Sequence, residues 1–426
     1  MSDHDLLVHG TNGSLAISDG FITAAGPSLS GTAREEINFR DALILPGWID
    51  AHVHFNEPGR ADWEGFATGS RALAAGGGTT FFDMPLNSSP PVINRAAFEE
   101  KRRIGENISC LDFALWGGLT PDSLDHLEAM ADAGAIGFKA FMCPSGIDEF
   151  QSATPSTLRQ GMEIAAGLDL PVAVHAEDPE VIHLHQLAHP ATATDMRAWL
   201  DSRPIEAELS AIRIALDLAG ETGCQLHIVH VTCPEGIELV TAAKQLGVRV
   251  TVETCPHYLL LDDNTAIAIG PAAKCAPPLR SAPTVTALWQ QLLAGNIDTI
   301  GSDHSPSPPD LKQGTDIFAM WGGIAGIQHA LPLLLSRNLN HLPKLSTNVA
   351  ATFRLPEKVS LTPGHHADFI VLTENPFTIT REQLLTRHAI SPYLGLTASH
   401  TIAATYLRGQ KVTPESHGKF LAPQRS

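Results

Sequence analysis

No apolar run in the chain approaches the roughly 18 to 20 residues that cross a bilayer as a helix, so the sequence predicts no membrane-spanning helix. Its opening, Met1-Ser2-Asp3-His4-Asp5, lacks the basic start and apolar stretch of an export signal. The cysteines at 110, 143, 224, 233, 255 and 275 form no Cys-x-x-Cys pair. That leaves no short zinc or redox motif and reads as reduced thiols in a cytoplasmic protein. Cations are scarce: 28 Lys and Arg against 46 Asp and Glu give a net charge of −18. Such a field repels phosphate backbones and anionic lipid, so neither nucleic acid nor a membrane is an expected partner. Aromatics are only 6% of the 426 residues, but 43% hydrophobic residues suffice for a large core, and the length predicts a large domain beside a smaller one.

What is present is an ordered alternation of apolar runs and turns. Within the first 45 residues, Leu6-Leu7-Val8, Leu15-Ala16-Ile17 and Phe21-Ile22 alternate with turns at Gly10, Gly13 and Gly20, predicting short antiparallel strands. Runs over 367–372 and 402–409, after the turn at Pro363-Gly364, predict strands of the same kind. The two ends are expected to pair into one small β-sandwich domain, residues 1–45 plus 363–426. Between them, in 46–362, eight β-rich runs (48–55, 79–84, 111–116, 136–141, 172–175, 226–231, 248–253 and 299–302) alternate with helical patterns such as 205–219 and 283–293. This order predicts the α/β class and a (β/α)₈ barrel.

Barrel chemistry sits at the C-terminal strand ends, so a polar residue that closes an apolar run is a candidate. His52 and His54 are two apart on one strand and point the same way. His175, His230 and Asp303 reach the same rim from the fifth, sixth and eighth runs, and imidazoles with a carboxylate suit zinc or a similar divalent ion. Lys139 closes the fourth run and places an ammonium where a cation site should not tolerate one. Either it is a salt-bridged lysine, or it has reacted with carbon dioxide to give a carbamate, N6-carboxylysine, an anion able to bridge two metals. Six ligands exceed the three protein ligands typical of one open tetrahedral zinc, so two ions are expected, about 3.5 to 4 Å apart. Zinc comes first, with iron, cobalt or manganese as alternatives. Asp303 is assigned the proton shuttle, the plainer alternative being a ligand only. His227 lies three before His230 and faces the other way. His183, His185 and His189 fall on a predicted solvated helix, and His365-His366 in the β domain; none of these is expected to bind metal.

In this order, His52, His54, Lys139, His175, His230 and Asp303 resemble the ligands of the amidohydrolase superfamily, within it the dihydroorotases, hydantoinases and allantoinases. Several flanking segments resemble allantoinases: Glu57-Pro58-Gly59-Arg60, Trp63-Glu64-Gly65, Met84-Pro85-Leu86-Asn87, Lys274-Cys275-Ala276-Pro277-Pro278, Trp321-Gly322-Gly323-Ile324, and Arg387-His388 with Ser391-Pro392-Tyr393. The resemblance implies hydrolysis of allantoin to allantoate, a small cyclic ureide as partner, and a homotetramer. Dihydroorotase and hydantoinase or dihydropyrimidinase activities are the alternatives. Dihydroorotases carry an arginine before Glu-Pro-Gly to hold a substrate carboxylate; Asn56 stands there, which fits a neutral ring, with Arg60 nearby as a possible substitute. Substrate contacts implied by the resemblance are Asn87 through its side chain and Ala276 and Gly323 through the backbone. A non-catalytic scaffold of the same fold is the reading from another class, and the presence of all six ligand types weighs against it.

Overall fold

The computed structural model describes residues 3–188 and 195–425, so His189 lies outside the described residues. Near the N-terminus, β1 (His4–Gly10), β2 (Gly13–Ser18), β3 (Phe21–Gly26) and β4 (Ala33–Asn38) form one sheet in the order β3-β2-β1-β4. The glycine turns make β1, β2 and β3 antiparallel, but β4 lies parallel to β1. The three runs named in the sequence thus pair antiparallel as expected; β4, which that pattern did not single out, is parallel because segment 27–32 is longer than a tight hairpin turn and carries the chain back to the far edge of β1. The next strand, β5 (Ala42–Pro46), leaves this sheet for another.

All eight apolar runs of the central region become strands, six of them shorter than the runs and the other two equal in length. β6 (Trp48–Val53), β7 (Gly78–Asp83) and β8 (Asp112–Leu115) form a parallel sheet. β9 (Gly117–Gly118), β10 (Phe138–Phe141), β11 (Val172–His175), β12 (Leu226–Ile228), β13 (Val250–Thr254) and β14 (Thr299–Ile300) form a second one in chain order. The two sheets abut, since Ile136 N–H donates to Leu115 O at 3.0 Å and, at the opposite margin, His54 N–H donates to His304 O at 2.8 Å. Helices such as Arg95–Ile108, Ile205–Thr222 and Ala282–Leu293 connect successive strands. Period-two alternation splits the core between the faces of the strands: on β7, Phe81 joins the large cluster with Phe66 and Phe113, while Phe82 joins a separate one with Trp116 and Phe353. Burial on both faces is what a parallel sheet requires.

Late in the chain come β15 (Phe369–Thr373), β16 (Phe377–Thr378), β17 (Thr397–Ala398), β18 (Thr401–Leu407) and β19 (Gln410–Lys411). An antiparallel sheet, β19-β18-β15-β5, joins the two ends of the chain. Leu6, Val8, Leu15 and Ile44 share a third core with Phe369, Val371 and Tyr406. After β19 the tail returns to the central region. Phe113 N–H donates to Lys419 O at 2.9 Å and Leu421 N–H to Phe113 O at 2.8 Å, so the tail runs beside β8.

Asp112, the first residue of β8, ties these parts together. It accepts from Arg408 Nη1 at 2.6 Å and from Lys419 N–H at 2.8 Å, and pairs with Lys358 Nζ at 2.9 Å. Lys358 also pairs with Asp368. His366 lies with Asp112 and Asp368 at a spacing that could hold a metal, but the Lys358 ammonium already bridges the two carboxylates. Removing one member of a buried charge network strands the rest. Asp112→Ala should therefore cost about 3 kcal/mol or more, read from the denaturant midpoint, whereas exposed Asp125→Ala should stay within about 0.5 kcal/mol. Equal effects at the two positions would show that the network carries no stability.

Candidate metal centre

Strand ends of the central region bring the predicted donors to one place. His52 closes β6 with His54 just beyond it, Lys139 lies in β10, His175 ends β11, and His230 and Asp303 follow β12 and β14. His52 Nε2 and His54 Nε2 lie 3.3 and 3.4 Å from Asp303 Oδ1. The rings of His52 and His230 are 5.5 Å apart between centroids, and those of His230 and His175 4.6 Å. Lys139 is fully buried beside them, its Nζ 5.1 Å from the centre of the Phe141 ring, which stacks on His175. His230 and Asp303 have φ of 44° and 46°, a left-handed backbone that is uncommon outside glycine and concentrates at functional sites. Here it turns each donor at the point where its strand stops.

The ring nitrogens are divided between protein and centre. His52 Nδ1 lies 2.8 Å from Glu253 Oε1, and His175 Nε2 lies 2.7 Å from Glu177 Oε2; His54 Nδ1 faces Leu86 O at 3.5 Å. A carboxylate or carbonyl behind a metal-binding histidine fixes its tautomer and orientation. Burial alone would raise the pKa of Glu253, but His52 and His227 outweigh it and hold it at about 2. Glu253 also faces His227, whose Nδ1 bonds Thr251 Oγ1 at 2.8 Å, so His227 supports the carboxylate rather than joining the cluster. Gly301 makes room for this contact, since a Cβ there would sit 2.5 Å from Glu253 Oε2 and 2.8 Å from His52 Cβ.

A divalent ion fits what the remaining atoms offer. His52, His54 and Asp303 place one donor atom each within 4.8 Å of one another, a nitrogen and oxygen set suited to zinc. His230 Nδ1 and Lys139 Nζ are buried without a hydrogen-bond partner. Burial holds the His230 imidazole well below its ordinary pKa, with His175 and Lys139 adding to the effect, so the ring is neutral as a ligand must be. For Asp303, burial opposes the charge, yet His52 and the hydrogen-bonded His54 hold the carboxyl well below the usual carboxylate range.

The donors floor a cavity of about 360 Å³ whose walls include Asn87, Ala276 and Gly323. Asn87 O already accepts from Arg60 Nη1 at 2.8 Å, leaving its side chain to the cavity. Gly323 N–H donates to Lys274 O at 2.7 Å and its carbonyl accepts from Lys312 Nζ at 2.8 Å, so only the second lone pair of that carbonyl remains for a ligand. Asn56 does not line the cavity; with φ at 67° its amide turns to Pro306 O at 3.2 Å. Arg60 is engaged by Asn87 and by Glu149 at 3.6 Å. The cations lining the cavity are instead Arg203, paired with Glu177, and Lys274, which donates to Met320 O and lies 4.0 Å from the centre of the Trp199 ring. Sequence reasoning passed over Glu253, Glu177, Arg203 and Lys274. Glu253 closes an apolar run and Glu177 follows His175 by two, signals that were available; Lys274 opens a segment that carries the family resemblance, whereas Arg203 comes from a connecting segment without one.

The amidohydrolase family profile matches residues 43–412, and the chain belongs to that family. Within it, the chain is similar to allantoinases along its whole length. It is 47% identical to that of Rubrobacter xylanophilus, over 100% of this chain and 99% of that protein, and 46% identical to that of Solibacter usitatus, over 96% and 93%. Among solved structures it is similar to the L-hydantoinase (dihydropyrimidinase) of Arthrobacter aurescens, with a TM-score of 0.93, 30% identity and coverage of 98% and 100%. The dihydropyrimidinase of Brevibacillus agri gives 0.87, 26%, and 99% and 98%.

If Glu253 orients His52 toward a metal, Glu253→Ala should weaken metal affinity by about 10- to 100-fold, measured by competition with a chromophoric chelator. An affinity equal to that of the unaltered protein would remove Glu253 from the account.

Proposed function

We propose that the protein is a metal-dependent hydrolase that opens the hydantoin ring of allantoin to give allantoate. The observation that carries this reading is full-length similarity to allantoinases in a chain whose His52, His54, His175, His230 and Asp303 gather at one small cavity above buried Lys139. The cavity volume suits a ligand of that size.

In this reading two divalent ions, zinc in the first place, would be held by His52, His54, His175, His230 and Asp303 together with Lys139 as N6-carboxylysine. Support for the carbamate is the buried, unpartnered Lys139 amine, which burial brings down to about 8 against the opposing pull of Asp303 and Glu253. A neutral amine is the form that adds carbon dioxide, and the resulting anion replaces an uncompensated ammonium. When bound, the ions supply Lewis-acid polarisation of the ring carbonyl and a water acidic enough to attack at neutral pH. Asp303 would take a proton from the attacking water and deliver it to the ring nitrogen as the amide C–N bond breaks. The side chain of Asn87 and the backbone of Ala276 and Gly323 orient the ring.

The same proposal takes the two parallel sheets as one closed (β/α)₈ barrel over residues 46–362, with a β-sandwich of 1–45 and 363–426 beside it. The hydrogen bonds that join the sheets at both margins support closure, and the core shared by the terminal sheets supports the sandwich. Six buried free thiols suit a reducing cytoplasm. A homotetramer belongs to the same family-based reading.

Hydantoinase activity is the second reading, favoured by the structural likeness to the Arthrobacter enzyme. Steady-state assays on allantoin, hydantoin, dihydrouracil and dihydroorotate separate the two. Allantoin should have a kcat/KM at least about tenfold above the rest; preference for any other ring overturns the substrate assignment. Lys139→Ala should abolish turnover and empty most of the metal, and a variant that keeps both would refute the carbamate.

A further inference from the structure

A second cavity, of about 480 Å³, opens among segments 269–272, 309–313 and 381–390, apart from the donor cluster. Lys312, Arg381, Arg387 and His388 line it, and among the described residues no acidic side chain does, although acids outnumber bases 46 to 28 in the chain. Arg381 forms no ion pair among the described residues, and the acid its charge reaches, Glu382, lies outside the lining. Arg387 is held in place by Nε donating to Glu64 O at 2.7 Å. The Glu64 carboxylate is engaged elsewhere, accepting the Arg387 backbone N–H at 3.1 Å and facing His304 Nε2 at 3.4 Å.

Lys312 makes this more than a patch of surface charge. It is 8% exposed, and its Nζ donates to Gly323 O at 2.8 Å and Trp321 O at 3.4 Å. Among the described residues no carboxylate pairs with it; burial lowers its pKa to about 8, and the one opposing influence is the Cys275 thiol. A buried ammonium held by carbonyls alone lacks a counter-charge. Guanidinium groups beside it match the planar, two-oxygen edge of a phosphate or carboxylate.

We propose that this cavity binds a small phosphate- or carboxylate-bearing anion through Arg381, Arg387 and Lys312. We further infer that its occupancy is felt in the catalytic cavity, because Trp321 and Gly323, whose carbonyls Lys312 holds, line that cavity. Coupling of this kind is reciprocal: an anion that alters how Lys312 grips the loop alters substrate affinity, and substrate alters anion affinity.

Calorimetric titration of the metal-loaded protein with inorganic phosphate and with succinate, at constant ionic strength, tests the site. At least one should bind to the unaltered protein, and Arg381→Ala should weaken it by about tenfold, with Arg381→Glu weaker still. Arg381 is exposed and its side chain makes no hydrogen bond among the described residues, so both variants should fold. Tighter phosphate marks a phosphate-bearing ligand and tighter succinate a carboxylate. No binding, or binding that the variants leave unchanged, overturns the proposal, the latter by placing the anion at the metal centre. In the kinetic arm, the tighter anion should shift KM for allantoin by about fivefold in the unaltered protein and leave Arg381→Glu unmoved. An equal shift in both overturns the coupling. This arm rests on the proposed reaction, whereas the calorimetric arm does not, so their failures are distinguishable.

Discussion

Dehydration of like and unlike charges at one rim is the constraint on which the rest of the structure depends. Four imidazoles, a lysine and a carboxylate are buried together beneath the cavity, and there an unpaired polar atom is costly and a paired one strongly held. The protein meets this by placing a partner behind the ring: Glu253 behind His52 and Glu177 behind His175. Glu253 is the pivot, since it serves His52 on one side and faces His227 on the other, in a space that only the missing side chain of Gly301 allows. What stays unpaired, His230 Nδ1 and Lys139 Nζ, marks where the charge balance is incomplete without a further group.

The strands assign different work to their two ends. At the rim, the left-handed turns at His230 and Asp303 spend backbone strain on aiming donors. Lys274 and Lys312 grip carbonyls of the segment after β14 to shape the cavity wall. At the opposite end of β8, Asp112 gathers Lys358, Arg408 and the C-terminal tail into a buried ionic knot. This division, function at the C-terminal strand ends and stability at the N-terminal ends, is the one expected of βα architectures.

Much of this was legible in the sequence because local pattern and strand position carry it. The apolar runs that became β6 to β8 and β10 to β14 stand out by length and bounding turns, and histidines at their ends were informative through placement rather than number. Glu253 and Glu177 obeyed the same rule and were passed over once six ligands had been found. Other features depend on distant contacts that periodicity does not encode. The parallel pairing of β4 with β1 is decided by where a six-residue segment lands. Asn56 stands beside the donors in sequence, yet a φ of 67° sends its amide to Pro306, and no residue pattern announces that angle. Arg203 and Lys274 reach the cavity from segments without a strand end to mark them.

The central claim concerns what the six side chains hold. Anomalous diffraction from crystals of the protein prepared with zinc and bicarbonate tests it most directly. The account predicts two ions about 3.5 to 4 Å apart, bounded by His52, His54, His175, His230 and Asp303, with density beyond Lys139 Nζ reaching both. A bare Lys139 amine, or metal bound away from these residues, would contradict it.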